Sequence, residues 1–364
     1  MVRYAILGCG MMGREHIKNI LLLDNAFIVG IYEPDAEMRR LAKLLVPDTL
    51  FLDSLPKLLQ EIEFDCLVVA TPNFRHIRDL REIVRFVTKP LLIEKPIVTS
   101  FEDALSLIEL TKKYEAPIWV AMEYRYMPAL QSFIEEEKFV TGGVKMLSIR
   151  EHRYPFLEKV NNWNRFNEFT GGTFVEKCCH FFDLMRLIIG CNPLQIMASG
   201  GQACNHLTET YDGKQADIWD SGYVIVDFEN GARCMLELCM FADGSDYQEE
   251  ICAVGAKGKI ECKIPGPKRF WNDDNIPQPE AIVTMTDRKS KFRSKKLIPV
   301  DPILLDAGDH NGSTFYQHKK FYDVVCSNAP VEVDLEDGIW AVRMGLAAQM
   351  SSIKNRTVKM SEFF

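Results

Sequence analysis

The sequence predicts an α/β fold with an N-terminal doubly wound parallel sheet, followed by an α+β region with a large, mostly antiparallel sheet. Three observations support this prediction. Short apolar strands alternate with helical patterns through the first third of the 364-residue chain, which is typical of parallel sheets. A glycine-rich turn joins the first strand to the first helix. After about residue 123, long β-rich stretches replace the alternation.

Short apolar segments separated by helical patterns form the predicted parallel sheet. The predicted strands are 3–7, 27–32, 66–70, 91–93 and 118–122. Each is too short and too uniformly apolar to face water, so we expect helices on both faces of this sheet.

The β-rich region contains longer predicted strands. They are 144–153, 196–202, 222–228, 232–241 and 251–262. Asn230 and Gly231, between two of them, are a strong signal for a two-residue hairpin. Apolar residues occur on both faces of 223–228 and 234–240, so we expect another subunit to cover one face of this sheet, in a homodimer or homotetramer.

The chain is longer than one ordinary hydrophobic core supports, so we expect more than one domain. We predict a first domain over residues 1–122 and a second, mixed α+β domain over residues 123–330. Residues 331–364 contain a C-terminal helical pattern that we expect to pack back on the first domain.

Composition excludes several classes of partner. The net charge of −8 argues against nucleic acid or an anionic membrane as the main partner. One short basic run, 288–296, holds a single aromatic residue and is typical of a solvated strand or loop. No segment has the length of a membrane-spanning helix, and the chain enters a strand rather than a signal peptide, so we expect a cytoplasmic protein.

The cysteines predict reduced thiols. There are eleven of them, an odd number, and none forms a CxxC pair, which argues against a disulfide framework. Cys178 and Cys179 are adjacent, a spacing that disfavours binding of one zinc ion by both. We therefore predict no metal site.

A glycine-rich motif follows the first predicted strand at once. Residues 8–13 read GCGMMG and run into a helical pattern, and the second strand ends at Glu33. Strand, glycines, helix, strand and acid in this order predict a dinucleotide-binding site. In such a site Gly8 allows the tight turn, Gly10 admits the pyrophosphate, and Gly13 lets helix and strand pack closely. The alternative is a glycine turn in an ordinary α/β protein.

Glu33 also bears on the choice of dinucleotide. A carboxylate at this position accepts a hydrogen bond from the ribose 2′-hydroxyl and repels a 2′-phosphate, so the sequence favours NAD over NADP. Arg39 and Arg40 lie downstream and keep NADP open as the alternative.

Two polar motifs follow the third and fourth predicted strands, TPN at residues 71–73 and EKP at residues 94–96. Ligands of open α/β sheets bind at such strand ends. A lysine there can hydrogen-bond a reacting oxygen and stabilise negative charge that develops on it. The alternatives are a helix cap at Asn73 and a solvated surface lysine at Lys95. Predicted cofactor-binding residues are Gly8, Cys9, Gly10, Met11, Met12, Gly13, Glu33, Thr71, Pro72, Asn73, His76, Glu94 and Lys95.

A third motif, GGTFVEKCCHFFD at residues 171–183, opens a predicted helix. Glu176, His180 and Asp183 fall about one turn apart and share one face. An acid beside an imidazole suits proton transfer from a hydroxyl. Two structural alternatives stay open. Thr173 and Glu176 also fit a capping box, and His180 among aromatic neighbours is compatible with a core histidine.

The three motifs GCGMMG, EKP and GGTFVEKCCHFFD resemble those of the Gfo/Idh/MocA family of NAD(P)-dependent oxidoreductases, in particular its inositol dehydrogenase branch. The resemblance implies hydride transfer between a secondary alcohol of a sugar or polyol and nicotinamide, with Lys95 and His180 as catalytic residues. The family usually has aspartate where this chain has Glu176, which we predict as a third catalytic residue. The family often has a cis bond before the EKP proline, so Lys95–Pro96 is a candidate.

The substrate site is less strongly specified. A tryptophan beside amide and guanidinium donors suits a polyhydroxylated ring, although a core or interface role for Trp163 is equally compatible. The family often places a substrate contact after the last strand of the first domain. The polar stretch 310–318 could line the same cleft or cap a helix. Predicted substrate-binding residues are Lys95, Tyr124, Arg125, Arg153, Trp163, Asn164, His180 and Tyr316.

Three functions are compatible with these residues. The first is an NAD-dependent dehydrogenase that acts on a small sugar or polyol. The second is a glycoside-processing enzyme that oxidises its substrate transiently with bound NAD and releases no net NADH. The third is a non-catalytic NAD-binding regulator, which would have no need of Lys95 and His180.

Overall fold

The computed structural model of the chain describes residues 1–271 and 278–363 and contains two large β-sheets with helices packed against them. The strands of the first sheet are β1 Val2–Leu7, β2 Ala26–Tyr32, β3 Leu50–Leu52, β4 Cys66–Val69, β5 Leu91–Ile93 and β6 Ile118–Val120. The helices between them are α1 Met11–Ile20, α2 Ala36–Leu45, α3 Leu55–Glu61, α4 His76–Phe86 and α5 Phe101–Thr111.

The rest of the chain forms the second sheet, a short two-stranded ribbon and further helices. Its strands are β7 Val144–His152, β8 Pro193–Gly201, β9 Thr210–Tyr211, β10 Lys214–Gln215, β11 Ser221–Phe228, β12 Arg233–Cys239, β13 Glu249–Gly255, β14 Gly258–Ile264, β15 Ala281–Asp287, β16 Arg293–Ile298 and β17 Val358–Lys359. Its helices are α6 Pro128–Thr141, α7 Asn167–Thr170, α8 Thr173–Glu176, α9 Cys179–Ile189, α10 Pro302–Ala307, α11 Ser313–Ser327 and α12 Leu335–Lys354. Among the helices described, none is both long and apolar enough to cross a lipid bilayer.

The first sheet has the strand order β3-β2-β1-β4-β5-β6, and all its neighbouring strands are parallel. The predicted doubly wound parallel sheet is confirmed. The structure adds the edge strand β3, whose three residues are too few to give a period in the sequence. The strand order reverses between β1 and β4, and ligands of such sheets bind outside the carboxyl ends of the strands at this point.

Two glycines shape the turn between β1 and α1. Gly8 has a φ of +89°, and a Cβ on it would lie 2.7 Å from the carbonyl oxygen of Ala70, just after β4. A Cβ on Gly13 would lie 2.2 Å from the carbonyl oxygen of Gly8. Only glycine fits at either position, so α1 begins directly at the carboxyl ends of β1 and β4.

The second sheet has the order β16-β15-β14-β13-β7-β12-β11-β8-β17. All neighbouring pairs are antiparallel except β7 and β12, so the predicted mostly antiparallel sheet is confirmed. The predicted hairpin joins β11 to β12, but its loop has three residues, Glu229 to Gly231, instead of the two that we predicted. The N–H of Gly231 donates to the carbonyl of Phe228, and Gly231 has a positive φ of +80°, as in a turn that closes with a glycine bulge.

The two faces of the second sheet differ in their cover. Helices α6, α9 and α12 pack against strands of this sheet. In β11, Val224 and Val226 are buried, whereas Tyr223 and Ile225 on the opposite face are 57% and 43% exposed. An apolar face of this kind is typical of a contact between subunits. That a second copy of the chain covers it stays a prediction.

The last long helix, α12, touches elements from both parts of the chain. It packs against α8, α9 and β8, and it also contacts β6 and α5. Gly338 on this helix faces the side chains of Val120 and Ile97, close enough that a Cβ would need one of them to shift. The division of the chain at residues 122 and 330 stays a prediction.

The close approach at Gly13 predicts that Gly13→Ala destabilises the fold. The added methyl group would meet a backbone oxygen that cannot rotate aside, so we expect a loss of about 1–3 kcal/mol in the free energy of unfolding. Urea denaturation followed by tryptophan fluorescence measures it. Gly244→Ala is the control, because a Cβ there meets nothing within 4 Å. Equal stability of the two variants would contradict the packing argument.

Candidate active site

The turn before α1 presents backbone N–H groups. The N-cap of α1 is Gly10, which has no side chain to accept a hydrogen bond from the N–H groups of the first turn. The N–H of Cys9 donates to Glu33 Oε2 at 2.7 Å, and that of Asp35 donates to Oε1 at 2.8 Å. Arg39 donates to the main-chain carbonyl of Glu33 at 2.7 Å. The helix N-terminus and the adjacent carboxylate fit the pyrophosphate and ribose of a dinucleotide. The remaining motif residues at this turn are Gly8, Met11, Met12 and Gly13.

A buried histidine joins the ends of β4 and β5. Thr71, Pro72 and Asn73 follow β4, and His76 begins α4. The two ring nitrogens of His76 lie 2.9 Å from the carbonyl oxygen of Pro96 and 3.0 Å from that of Thr71. His76 therefore links the TPN motif to the EKP motif. Its contact with a cofactor stays a prediction.

The EKP turn is tied to the first helix and to α11. Its Lys95–Pro96 peptide bond is cis, as predicted. Glu94 Oε1 lies 2.9 Å from His16 Nε2 on α1, and Glu94 Oε2 accepts the N–H of Lys95 at 3.2 Å. His16 Nδ1 in turn lies 2.8 Å from His318 Nε2 on α11. Both carboxylate oxygens of Glu94 are thus engaged within the protein.

Lys95 and Glu176 connect the two sheets. Lys95 Nζ donates to the main-chain carbonyl of Glu176 at 3.2 Å. The Glu176 carboxylate accepts a short hydrogen bond from Asn73 and lies 3.3 Å from Lys159 Nζ. Burial disfavours the charge of Glu176, but Lys159 and Lys95 hold its pKa below the usual value. Burial likewise opposes the charge of Lys95, whose pKa Glu176 nevertheless raises. Both groups are therefore ionised at neutral pH.

The third motif forms two helices instead of the single helix that we predicted. Helix α8 ends at Glu176 and α9 begins at Cys179, so Glu176 and His180 do not share one continuous helical face. The capping box is not formed either. Thr173 Oγ1 donates to the carbonyl of Trp219 at 2.7 Å, while the Glu176 carboxylate is held by Asn73.

His180 is a neutral imidazole close to Lys95. Its ring stacks on Tyr124 with centroids 4.1 Å apart and planes 5° apart. Its Nδ1 is buried without a hydrogen-bond partner among the described residues. Burial lowers the pKa of His180 well below its usual value, and Lys95 and Lys177 lower it further. The ring is therefore unprotonated at neutral pH and can accept a proton.

The interruption between α8 and α9 turns Lys177 into the interior. Its Nζ donates to Tyr124 Oη at 2.6 Å and lies 2.9 Å from Glu151 Oε1. Burial and Arg153 lower the pKa of Lys177. Burial and the neighbouring Glu151 raise the pKa of Glu249 to about 7. This cluster fixes the Tyr124 ring against His180.

Two aromatic side chains from the segments that follow β4 and β7 meet near Glu176. Trp163 makes an edge contact with Phe74, which follows Asn73, with centroids 5.9 Å apart. Lys159 Nζ lies 4.5 Å from the centre of the Trp163 ring. Arg153 is close enough to His180 to lower its pKa. Of the predicted substrate contacts, Tyr124 and Arg153 thus lie close to His180, and Trp163 lies beside Lys159, which reaches Glu176.

Two other predicted substrate contacts, Arg125 and Asn164, have hydrogen-bond partners within the protein. Arg125 is engaged in an ion-pair network: its Nε donates to Asp183 at 2.6 Å, and its Nη2 lies 3.0 Å from Asp337. Since its donors are used within the protein, we exclude Arg125 from the substrate site. Asn164 is fully buried and donates to the carbonyl of Leu157.

Tyr316 lies on α11, where its ring makes an edge contact with Phe315, with centroids 5.5 Å apart. It stays a candidate on sequence grounds only.

Sequence reasoning missed Lys159 and Lys177. Lys159 approaches Glu176 only because Asn161 and Asn162, both with positive φ, fold the loop back. An adjacent pair of asparagines was the one local sign of that turn. Lys177 carried a clearer signal, since it is a lone lysine among apolar and aromatic residues of the third motif.

Comparison with protein families identifies the chain. Residues 2–122 match the model of the oxidoreductase family NAD-binding Rossmann fold, and residues 132–360 match that of the oxidoreductase family C-terminal alpha/beta domain. The protein belongs to the Gfo/Idh/MocA oxidoreductase family. It therefore contains an NAD-binding Rossmann domain, as the three motifs predicted.

Several curated Gfo/Idh/MocA relatives cover most of the chain at modest identity. Myo-inositol 2-dehydrogenase of Thermotoga maritima is 24% identical over 365 residues, 99% of each chain. Inositol 2-dehydrogenase of Rhizobium meliloti is 24% identical over 73% of this chain and 77% of its own. The 2,7-anhydro-N-acetylneuraminate hydratase of Escherichia coli is 24% identical over 100% of this chain and 98% of its own.

Solved structures of the family share the fold. An Agrobacterium radiobacter oxidoreductase, in complex with NAD⁺, L-tartaric acid and magnesium, has a TM-score of 0.79 at 16% identity and covers 100% of this chain and 99% of its own. GenD2 from gentamicin A biosynthesis, in complex with NAD, has a TM-score of 0.77 at 17% identity over 98% and 96%. At these identities the likeness shows the fold alone.

The environment of His180 predicts that its ring does not titrate near neutral pH. Because burial and neighbouring cations disfavour the imidazolium, its Cε1–H NMR signal should keep one chemical shift between about pH 6 and pH 8. The signal is assigned by its loss in His180→Asn. His152, part-exposed on β7 and 3.0 Å from Glu237, is the internal comparison. A His180 titration midpoint at or above about 6.5 would contradict the assignment of a neutral base.

Proposed function

We propose that this protein is an NAD-dependent dehydrogenase that transfers a hydride between a secondary alcohol of a sugar or polyol and nicotinamide. One observation carries the proposal. A neutral, buried imidazole at His180 and a charged lysine at Lys95 lie together beside the carboxyl ends of the parallel strands. This is the pairing that oxidation of an alcohol needs, a proton acceptor and a stabiliser of negative oxygen.

In this proposal His180 accepts the proton of the substrate hydroxyl. Its stacking on Tyr124, which Lys177 holds in place, orients the ring. Lys95 hydrogen-bonds the same oxygen and stabilises the negative charge that develops there.

Glu176 has a supporting role. Its carboxylate keeps Lys95 charged, and its main-chain carbonyl accepts a hydrogen bond from Lys95 Nζ. Since Asn73 and Lys159 occupy the carboxylate, Glu176 acts on Lys95 more readily than on the substrate.

The chain's residues suit NAD better than NADP. When bound, NAD supplies the acceptor of the hydride. Glu33 presents a buried carboxylate beside the glycine turn, which would repel a 2′-phosphate. Arg39 donates to the main-chain carbonyl of Glu33, so this guanidinium is already engaged.

The substrate class rests on the cleft and on relatives. Arg153 is a part-exposed guanidinium close to His180, and Trp163 is an aromatic side chain beside Lys159; aromatic and polar groups together suit a polyhydroxylated ring. The Tyr124 hydroxyl is engaged by Lys177, so Tyr124 contributes its ring rather than a free polar atom. Two relatives are inositol 2-dehydrogenases, so inositols are the first compounds to test.

Removal of the lysine should slow turnover strongly and change NAD affinity much less. We expect Lys95→Ala to lower kcat/KM for NADH formation by about 10²–10³-fold, the usual effect of losing a donor to a developing oxyanion. Absorbance of NADH with a panel of inositols, aldoses and glycosides measures it, and calorimetry measures NAD affinity. Lys89→Ala is the control, because Lys89 is an exposed lysine just before β5 begins, at the end of the strand away from Lys95. Full activity of Lys95→Ala would contradict the proposed role of Lys95 in stabilising charge on the substrate oxygen.

Glu33 should set the cofactor preference. We expect the protein to favour NAD over NADP at least tenfold in kcat/KM, and Glu33→Ser to narrow that ratio because it removes the charge that repels the 2′-phosphate. Parallel initial rates with both cofactors test this. Glu37→Ser, which removes an exposed carboxylate paired with Arg40, is the matched control. An unchanged ratio in Glu33→Ser would contradict the assignment.

A second candidate is a redox-neutral reaction with transient oxidation. The observation that favours it is the Escherichia coli relative, which aligns along its whole length and is named a hydratase. Such an enzyme converts its substrate with bound NAD but releases no net NADH. Product formation without NADH release, lost in Lys95→Ala, would favour this candidate over the dehydrogenase.

A further inference from the structure

His310 is a second imidazole near the Lys95–His180 pair. It lies in the loop between α10 and α11, and its ring centre is 6.0 Å from that of Tyr124. Since Tyr124 also stacks on His180, both histidine rings lie close to the same tyrosine ring. The inferred mechanism gives His310 no role.

The carboxylate of Glu15 holds one nitrogen of this imidazole, and the carboxylate of Glu123 lies near that nitrogen without a hydrogen bond to it. His310 Nδ1 lies 2.7 Å from Glu15 Oε1 on α1 and 3.5 Å from Glu123 Oε1, after β6. Glu15 also accepts from Thr314 Oγ1 at 2.8 Å and from the N–H of Asp309 at 3.2 Å. The ring orientation is therefore fixed from α1, from α11 and from the end of the parallel sheet.

His310 is cationic at neutral pH. Burial opposes the charge, but Glu123 and Glu15 outweigh it and raise the pKa of His310 to about 9, even though Lys177 acts in the opposite direction. These three donors could also hold a metal ion, since their atoms lie close together. Binding of a metal ion there would require the imidazole to lose its proton, because a protonated ring has no lone pair for a metal. The 2.7 Å contact is a hydrogen-bond distance, so a proton explains the cluster without an ion.

The other nitrogen of the ring is available. His310 Nε2 makes no hydrogen bond to a described residue, and it is not among the buried atoms that lack a partner. It lies on the side of the ring opposite Nδ1 and is accessible. A charged donor, fixed in orientation and unpaired, is thus present beside Tyr124.

We propose that His310 is a substrate-contacting residue, whose Nε2–H donates a charge-assisted hydrogen bond to an oxygen of the sugar or polyol while Glu15 positions the ring. This inference rests on the proposed function. His310 would bind a hydroxyl other than the one that His180 deprotonates, and so would select which carbon faces His180 and Lys95.

The first test is the steady-state kinetics of His310→Ala on the compound that the unaltered protein oxidises best. Loss of a hydrogen bond from a charged donor should raise KM about tenfold to a hundredfold, with kcat changed much less. His310→Gln, which keeps an N–H donor without charge, should recover part of the loss. His152→Ala is the control. This imidazole also pairs with a glutamate, but on the opposite face of β7 from the buried Glu151.

The second test separates positioning from packing through pH. The wild-type KM should rise as His310 loses its proton near pH 9, above the range near pH 7 in which Glu249 of the neighbouring cluster titrates. Glu15→Gln removes one of the two carboxylates that favour the imidazolium, so the pKa of His310 falls and KM should rise from a lower pH. A merely structural role of Glu15 would leave the pH of onset unchanged.

The outcomes are distinguishable. Unaltered protein that oxidises no sugar or polyol would overturn the proposed function and this inference with it. Active protein whose KM is unmoved in His310→Ala would overturn the inference alone. Elemental analysis gives a third readout. A stoichiometric divalent cation that is lost in Glu15→Gln would mean that the cluster holds a metal, and would also overturn it.

Discussion

The hydrogen bond from Lys95 Nζ to the main-chain carbonyl of Glu176 joins the two halves of the candidate site. Lys95 stands at the end of β5 in the parallel sheet, and Glu176 ends α8 against the second sheet. With Asn73 on the Glu176 carboxylate, this contact fixes where the two sheets meet. The positions of His180, Tyr124 and the cleft itself follow from it.

Buried charge is the second constraint. Burial lowers the pKa of His180, and the nearby cations Lys95, Lys177 and Arg153 lower it further. A histidine buried in an ordinary apolar core would have no such cations around it. Removing ions from water is costly, and such pairs persist only with good partners. Here Glu151 meets Lys177, and Asp183 meets Arg125. Several charged side chains are thus buried away from solvent around one neutral imidazole. This arrangement is more typical of a reactive site than of a stable core.

Local patterns predicted much of the fold and part of the site. Gly8, Gly13 and Glu33 were identifiable because one βαβ unit of adjacent sequence contains their whole geometry. The parallel sheet, the presence of a hairpin before β12 and the cis bond at Lys95–Pro96 followed from equally local or family signals. The strand order was not predicted.

Contacts between distant segments were not predictable in the same way. Arg125 was expected to bind substrate, but it meets Asp183 and Asp337, which lie far along the chain. Lys159 reaches Glu176 through a loop whose left-handed turns have only a weak signature. At the break between α8 and α9, Lys177 pairs with Glu151 on β7, which is also distant in sequence. In each case the sequence shows the residue type, and only the tertiary structure supplies its partner.

The most direct test of hydride transfer follows the hydrogen itself. A polyol or sugar substrate carrying deuterium on the carbon that bears the reacting hydroxyl is incubated with the protein and NAD, and the released nicotinamide is analysed by mass spectrometry. The proposed function predicts one deuterium in the released NADH. Substrate turnover with the deuterium kept in the product, or lost to water, and with no labelled NADH released, would contradict it.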